Sequence, residues 1–178
     1  EANRIEGDAG VTWKRTPGSS SAPPKTLYHG SAGVVVFYLE LHRATEDPAH
    51  LETAVAAGDD LLAYVDATEG LSAAIYSGWP GYVFVLNELA KASVQPRFRD
   101  GAKKALEKLM GQSEPLGGGI GWIEPMPFSD ITGMTGDREV LDLSIGAAGV
   151  GLVLMYAHRQ GLDERALGWA RQTADRLL

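Results

Sequence analysis

Two kinds of helical pattern alternate along this chain. From about Ala32 to Ala44, Val34, Val35, Val36, Phe37, Leu39 and Leu41 make a segment apolar around most of its circumference. Such a helix is expected to be buried. Thr45-Glu46-Asp47-Pro48 stops it and starts the next, with Asp47 as N-cap and Pro48 at the first helical position. In that second helix Leu51, Val55, Leu62 and Val65 form a single stripe, with acids elsewhere, so it is expected to lie outside and half-exposed. The alternation recurs twice. Tyr82 to Ala92 is apolar, and Arg97 to Met110 is amphipathic through Phe98, Ala102, Ala105, Leu106 and Leu109, ending at Gly111. Ala147 to Arg159 is apolar again, and after Gly161 the run from Asp163 to Leu178 is striped by Leu167, Ala170, Ala174 and Leu177. Three hairpins follow, each an apolar helix and then an amphipathic one. Apolar helices shielded on one side by amphipathic ones predict a two-layer all-α architecture, a curved solenoid or an α/α toroid. No stretch alternates with period two over enough length to predict a sheet.

Each apolar helix is preceded by one short pattern. Leu27-Tyr28-His29-Gly30-Ser31-Ala32-Gly33-Val34, Ile75-Tyr76-Ser77-Gly78-Trp79-Pro80-Gly81-Tyr82 and Leu141-Asp142-Leu143-Ser144-Ile145-Gly146-Ala147-Ala148-Gly149-Val150-Gly151 are three copies of it. Self-similarity of this kind marks a repeated supersecondary unit. The remaining segments are 1–26, polar and then rich in Gly, Ser and Pro, and 112–140. The first reads as a connection without elements of its own. The second is long enough to be functional, and Trp122, Ile123, Met126, Phe128 and Ile131 are expected to pack. Gly10-Val11-Thr12-Trp13 resembles Gly119-Ile120-Gly121-Trp122, so the repeat is expected to include its lead-in. Gly117 to Gly121 reads as a flexible turn, because no Gly-x-Ser-x-Gly elbow accompanies it.

Composition narrows the function. A net charge of −7 and a pI near 5.1 give no electrostatic footprint for nucleic acid or an anionic membrane. No run of eighteen apolar residues predicts a membrane span. The absence of cysteine excludes disulfides and cysteine-ligated metal within these residues, and is compatible with a cytoplasmic location. The chain begins at Glu1 and stops inside an amphipathic run, so a piece of a longer protein is expected.

Few residues are candidates for chemistry. The paired glycines permit unusual dihedrals or close backbone approach, and would set helix N-termini with unpaired N–H groups around one face. Tight packing of apolar helices alone explains most of this signal. They are not a phosphate loop, since the Gly-rich fingerprints and the preceding strand are missing. His42 and His158 lie near helix C-termini, where the dipole favours them, and His50 reads as a surface residue. His29 directly precedes a helix-opening glycine and is a site candidate. Asp142 sits four residues before Gly146, where the other copies carry Lys25-Thr26 and Ala74-Ile75, without a carboxylate. It has two readings, a carboxylate complementing a helix start, or an acid/base or histidine-orienting group. Tyr76, Trp79 and Trp122 are further candidates for lining a site.

These three Gly-x-x-Gly turns, in order and with an aspartate before the third, resemble the lanthionine synthetase C-like family over nearly the whole chain. The resemblance implies an α/α toroid whose inner helices each begin at such a turn, three hairpins of 1–178 forming its first half. It implies a function for Asp142, which matches the aspartate four residues before the glycine in the family's third repeat. Family members add a cysteine thiol across dehydroalanine or dehydrobutyrine in a peptide, as in lantibiotic biosynthesis. Zinc activates the thiol, held by two cysteines and a histidine of later repeats. A further histidine and an arginine assist proton transfer. None of those later motifs is present here, so only Asp142 carries over. Zinc is expected in the complete protein and none in this piece, which is itself expected to be inactive. The implied partner is a dehydrated precursor peptide, or another thiol or electrophile.

Two other readings compete. An α/α-toroid carbohydrate-active enzyme would use Glu114, Glu124, Asp130 and Asp142 as paired acids, with Tyr76, Trp79 and Trp122 stacking on sugar rings. A non-catalytic helical-repeat protein would hold a peptide on its concave face.

Overall fold

The computed structural model describes residues 3–125 and 137–178. Their six helices make the three expected hairpins: α1 (Ser31–Thr45) with α2 (Pro48–Ala67), α3 (Trp79–Ser93) with α4 (Pro96–Gly111), and α5 (Ala147–Arg159) with α6 (Ala166–Leu177). Each apolar helix packs on the amphipathic helix that follows it, and α3 also packs against both α1 and α5. The apolar helices therefore stand side by side in the order α1, α3, α5, with the amphipathic ones behind them.

Local signals account for most boundaries. Asp47 Oδ1 accepts from the Ala49 N–H at 2.9 Å, capping α2 ahead of Pro48. α6 starts three residues later than the stripe implies. Asp163 folds back instead, accepting from the Arg165 N–H at 2.7 Å while its carbonyl receives the Ala166 N–H.

Burial follows position in the row of inner helices. On α3, flanked on both sides, Trp79, Val83, Val85, Leu86 and Leu89 are wholly buried. On α1, Val35 and Leu39 are buried but Phe37 is 58% exposed, and on α5 Leu152 and Met155 are exposed in the same way. The expectation that α1 is buried around most of its surface fails at Phe37, because among the described residues α1 has an inner-helix neighbour on one side only.

A polar network ties the three inner helices together. Glu88, only 9% exposed on α3, accepts from Arg43 of α1 at 2.8 Å, from Lys91 at 2.8 Å and from the Tyr156 hydroxyl of α5 at 2.6 Å. The completely buried Asn87 donates to the Tyr156 oxygen at 2.7 Å. Arg99 of α4 donates to the carbonyls of Gln160 and Gly161 at 2.9 and 2.8 Å, holding the α5–α6 turn. Burial drives the Glu88 carboxyl upward, yet the hydrogen bonds from Lys91, Tyr156 and Arg43 outweigh it and hold the group below its ordinary value. Burial and the Glu88 carboxylate push the Tyr156 hydroxyl up, so it remains a donor.

The lead-in segments are not plain connections. Strands β1 (Arg4–Gly7) and β2 (Gly10–Trp13) form an antiparallel hairpin, as do β3 (Glu114–Leu116) and β4 (Gly119–Gly121). A third antiparallel pair joins β5 (Ile123–Pro125) to β6 (Asp137–Glu139). No alternation announced β2, because its adjacent residues Val11 and Thr12 are both buried, at 5% and 6% exposure. The likeness of Gly10–Trp13 to Gly119–Trp122 is structural. β2 lies on α2 and β4 on α6. A Cβ at Gly10 or Gly119 would run into the backbone of Ala56 or Gln172, respectively, so each glycine lets a strand lie directly on an outer helix. Gly117, with φ of 55°, makes the β3–β4 turn, so Gly117–Gly121 is a turn followed by a packed strand and not a flexible loop. Met126, Phe128 and Ile131, also expected to pack, lie outside the described residues.

Candidate functional site

The three Gly-x-x-Gly turns are built to one specification. Gly30, Gly78 and Gly146, the N-caps of α1, α3 and α5, have φ of −133°, −127° and −131°, with ψ of −169°, −162° and −170°. Any residue adopts such extended backbone, so unusual dihedrals are not the reason for glycine. Close approach is. A Cβ on the first glycine of each turn would fall within 3.0 Å of the carbonyl oxygen six residues earlier, that of Pro24, Ser72 or Val140. A Cβ on the second, Gly33, Gly81 or Gly149, would do the same to the carbonyl of Leu27, Ile75 or Leu143.

The close carbonyl serves as the helix cap. The first helical N–H, of Ser31, Trp79 or Ala147, donates to the Pro24, Ser72 or Val140 oxygen at 3.1, 3.0 or 2.8 Å. Gly33, Gly81 and Gly149 donate to the carbonyl of the first glycine at 3.1, 3.1 and 3.0 Å. The helix starts thus do not present a ring of unpaired N–H groups. Backbone carbonyls already occupy donors that an anion would need.

Neighbouring turns meet by a repeated contact. Leu27 lies against Gly81, and Ile75, at the same place in its own turn, lies against Gly149. The Tyr28 N–H donates to the Tyr76 carbonyl at 3.0 Å, and the two rings lie 6.0 Å apart. His29 stands edge-on to Tyr28 at 4.4 Å. Turns one, two and three therefore form a continuous rim that runs from His29 through Tyr28 and Tyr76 to the Asp142 turn.

Asp142 is exposed on this rim. Its Oδ1 accepts from the Ser144 N–H at 2.7 Å, the Ile145 N–H at 2.8 Å and the Ser144 hydroxyl at 3.1 Å. Among the described residues nothing donates to Oδ2. The Ile145 N–H foremost, with the Ser144 donors, holds the carboxyl below its ordinary value against a smaller opposing effect of burial. It is a persistent anion. In the first turn Thr26 takes the same place, its Oγ1 accepting from the His29 N–H at 3.1 Å. In the second turn Ala74 stands there without a side-chain acceptor; its carbonyl accepts from the Gly78 N–H at 2.8 Å and its N–H donates to the Ser72 hydroxyl at 3.2 Å. The same turn closes with Thr, Ala or Asp.

The other candidates separate. Tyr76, 42% exposed, is on the rim, and so is the exposed His29. Trp79 and Trp122 are not. Trp79 is completely buried, with Lys108 Nζ 5.3 Å above its ring, because it is the first residue of the central inner helix. Trp122 is 4% exposed, and its Nε1 donates to the Leu109 carbonyl at 2.9 Å, pinning the lead-in loop to α4. Neither can line a rim site or stack on a sugar. Glu114 is exposed on β3 and belongs to none of the three Gly-x-x-Gly turns, and Asp130 lies outside the described residues. His42 uses Nδ1 to reach the Asp47 carbonyl at 2.9 Å, a structural contact at the end of α1. Tyr28, 70% exposed, is the rim residue that residue-type reasoning passed over. The available signal was its position, since it stands two residues before Gly30 as Tyr76 does before Gly78.

Among the described residues no group of three or more His, Asp or Glu side chains could hold a metal ion, and the chain has no cysteine.

Hairpins of an apolar and an amphipathic helix, each opened by a carbonyl-capped Gly-x-x-Gly turn, define an all-α repeat protein of the α/α-toroid class. The family model for lanthionine synthetase C-like proteins matches residues 21–178, and the chain belongs to that family. No curated protein matches it. No helix among the described residues is long and apolar enough to cross a membrane.

Proposed function

We propose that these hairpins are the part of a lanthionine synthetase C-like protein that presents Asp142 to a peptide, and that the complete protein adds a cysteine thiol to dehydroalanine or dehydrobutyrine. The reaction is an addition. Sulfur bonds to the β-carbon, the thiol proton ends on the α-carbon, the carbon–carbon double bond is lost, and nothing is oxidised or reduced. A free-thiol substrate fits a reducing cytoplasm, and ring formation of this kind is a step of lantibiotic biosynthesis.

One observation carries the reading. The turn closes with threonine in the first copy and alanine in the second, so a turn of this kind can form without a carboxylate. Its chemistry is then the reason for its presence. With three donors fixing Oδ1 and the group held anionic, Asp142 suits an orienting task better than proton carriage. Oδ2 would accept from a peptide N–H or a protonated side chain beside the reacting carbons. The exposed Tyr28 and Tyr76 rings supply apolar surface along the same rim for the peptide. The zinc implied by the resemblance would need donors outside these residues, and no step here is routed through it.

The test is thiol consumption. Ring closure leaves the peptide mass unchanged, so the full-length protein is incubated with a dehydrated, cysteine-bearing peptide and residual thiol is measured by alkylation and mass spectrometry. Protein-dependent loss of alkylatable thiol supports the reading. Tight peptide binding with the thiol fully retained would instead make this a binding scaffold.

A further inference from the structure

Beside the first turn lies a groove of about 460 Å³, between the end of β2 and the exposed flank of α1. Trp13, Tyr28 and Phe37 give it aromatic walls, and Lys14, Arg15 and His29 give it three basic groups. No carboxylate lines it, although the chain carries 23 acidic residues against 16 lysines and arginines. Among the described residues neither the Lys14 nor the Arg15 side chain makes an ion pair or hydrogen bond. Most other cations are engaged: Lys25 with Asp60, Arg97 with Asp59, Lys104 with Asp66 and Arg176 with Glu139. A basic, acid-free groove with exposed aromatic rings complements an anionic chain segment that also carries apolar side chains.

The groove is continuous with the rim. Tyr28 and His29 belong to both, and Tyr28 touches Tyr76 on the way to the Asp142 turn. Adjacent packed helices are separated by about 8–10 Å, so two steps from the third turn to the first cover roughly 16–20 Å. An extended peptide advances about 3.3 Å per residue and bridges that span with about six residues.

We propose that this groove is a docking subsite for an acidic segment of the peptide substrate, lying about six residues from the residue that reacts beside Asp142. The proposal rests on the peptide-modifying function proposed above and adds a specificity to it. Aspartate or glutamate pairs with Lys14 and Arg15, and a neighbouring apolar side chain packs against Phe37 and Trp13. The interactions are half-exposed, so they select among peptides and do not hold them tightly.

Two labelled peptides test this with the full-length protein. They are identical except that an Asp-Glu pair beside a phenylalanine in one is Asn-Gln in the other. By fluorescence anisotropy the acidic peptide is expected to bind about five- to tenfold more tightly at low salt, the size of two exposed ion pairs. Raising the salt should erase most of that preference, a result that needs no variant. Lys14→Gln with Arg15→Gln should bring the acidic peptide to the affinity of the neutral one and leave the neutral one unchanged. Equal binding of the two peptides by the unaltered protein, or a preference that survives the double substitution, overturns the proposal. Thiol consumption is measured in parallel. Acid-dependent binding without thiol loss sinks the addition reaction and keeps the subsite. Thiol loss indifferent to the acidic pair, with no affinity preference, does the reverse.

Discussion

Replacing Gly78 with alanine tests the turn design at its most crowded point. The backbone there has φ of −127°, open to alanine, so no dihedral penalty arises. The added Cβ would meet the Ser72 carbonyl oxygen, its carbon and the Ser72 Oγ, all within 3.0 Å. That oxygen is also the acceptor of the Trp79 N–H, and Trp79 is completely buried. Relieving the overlap means moving the carbonyl away from its donor. Overpacking of this kind costs about 1–3 kcal/mol. An orphaned buried N–H costs about another 1–3 kcal/mol. The lower chain entropy of unfolded alanine returns about 0.4–1 kcal/mol. The net is a loss of about 3 kcal/mol, which for a slope of about 2 kcal/mol per molar moves a urea midpoint down by roughly 1.5 M. Gly70→Ala is the control, because a Cβ there meets nothing within 4 Å. A Gly78→Ala protein within about 0.5 kcal/mol of the parent would refute the close-approach explanation. Gly30→Ala and Gly146→Ala should behave alike if the three turns are equivalent.

Other consequences can be checked by urea or thermal denaturation. Tyr156→Phe removes a donor to Glu88 and an acceptor for the buried Asn87, and should cost about 2 kcal/mol. Because the folded Glu88 carboxyl lies below its ordinary value of 4.5, its contribution is complete above that pH. It is lost as the pH falls through the lower folded value. Thermal midpoints recorded between neutral pH and pH of about 3 should therefore fall less steeply for Glu88→Gln than for the parent, and parallel curves would contradict the assignment. Gly119→Ala should cost about 2 kcal/mol by lifting β4 from the Gln172 carbonyl of α6, while Gly118→Ala, in open space, should be neutral.

The helices were legible because each carried its own signal. Asp47-Pro48 marks one helix start, and the stripe through Phe98, Ala102, Ala105 and Leu109 marks one buried face. Repeat order was legible because glycine pairs at fixed offsets survive in all three copies. The strands were not, since each has four residues or fewer and β2 buries two neighbours in succession. Trp79 and Trp122 look like binding aromatics by residue type alone. Only the packing shows that one opens the central helix and the other anchors a loop. The Glu88 network had a faint signal, an Asn-Glu pair inside an otherwise apolar helix, but its partners Arg43 and Tyr156 are 45 and 68 residues distant. Asp142 stood out by comparison between copies, and the roles of Thr26 and Ala74 at the same position give that comparison physical content.

The central claim is that Asp142 is there for chemistry and not for folding. The most direct test places the first copy's residue in the third turn. Asp142→Thr in the full-length protein should leave helix content unchanged and lower the urea midpoint only slightly, since Thr26 closes its own turn through the equivalent N–H and only the Ser144 donors lose their acceptor. Thiol consumption from a dehydrated peptide should fall by about a hundredfold or more, the scale of losing a positioned charged group. Undiminished thiol consumption would contradict the account and leave Asp142 as one more way of closing the turn.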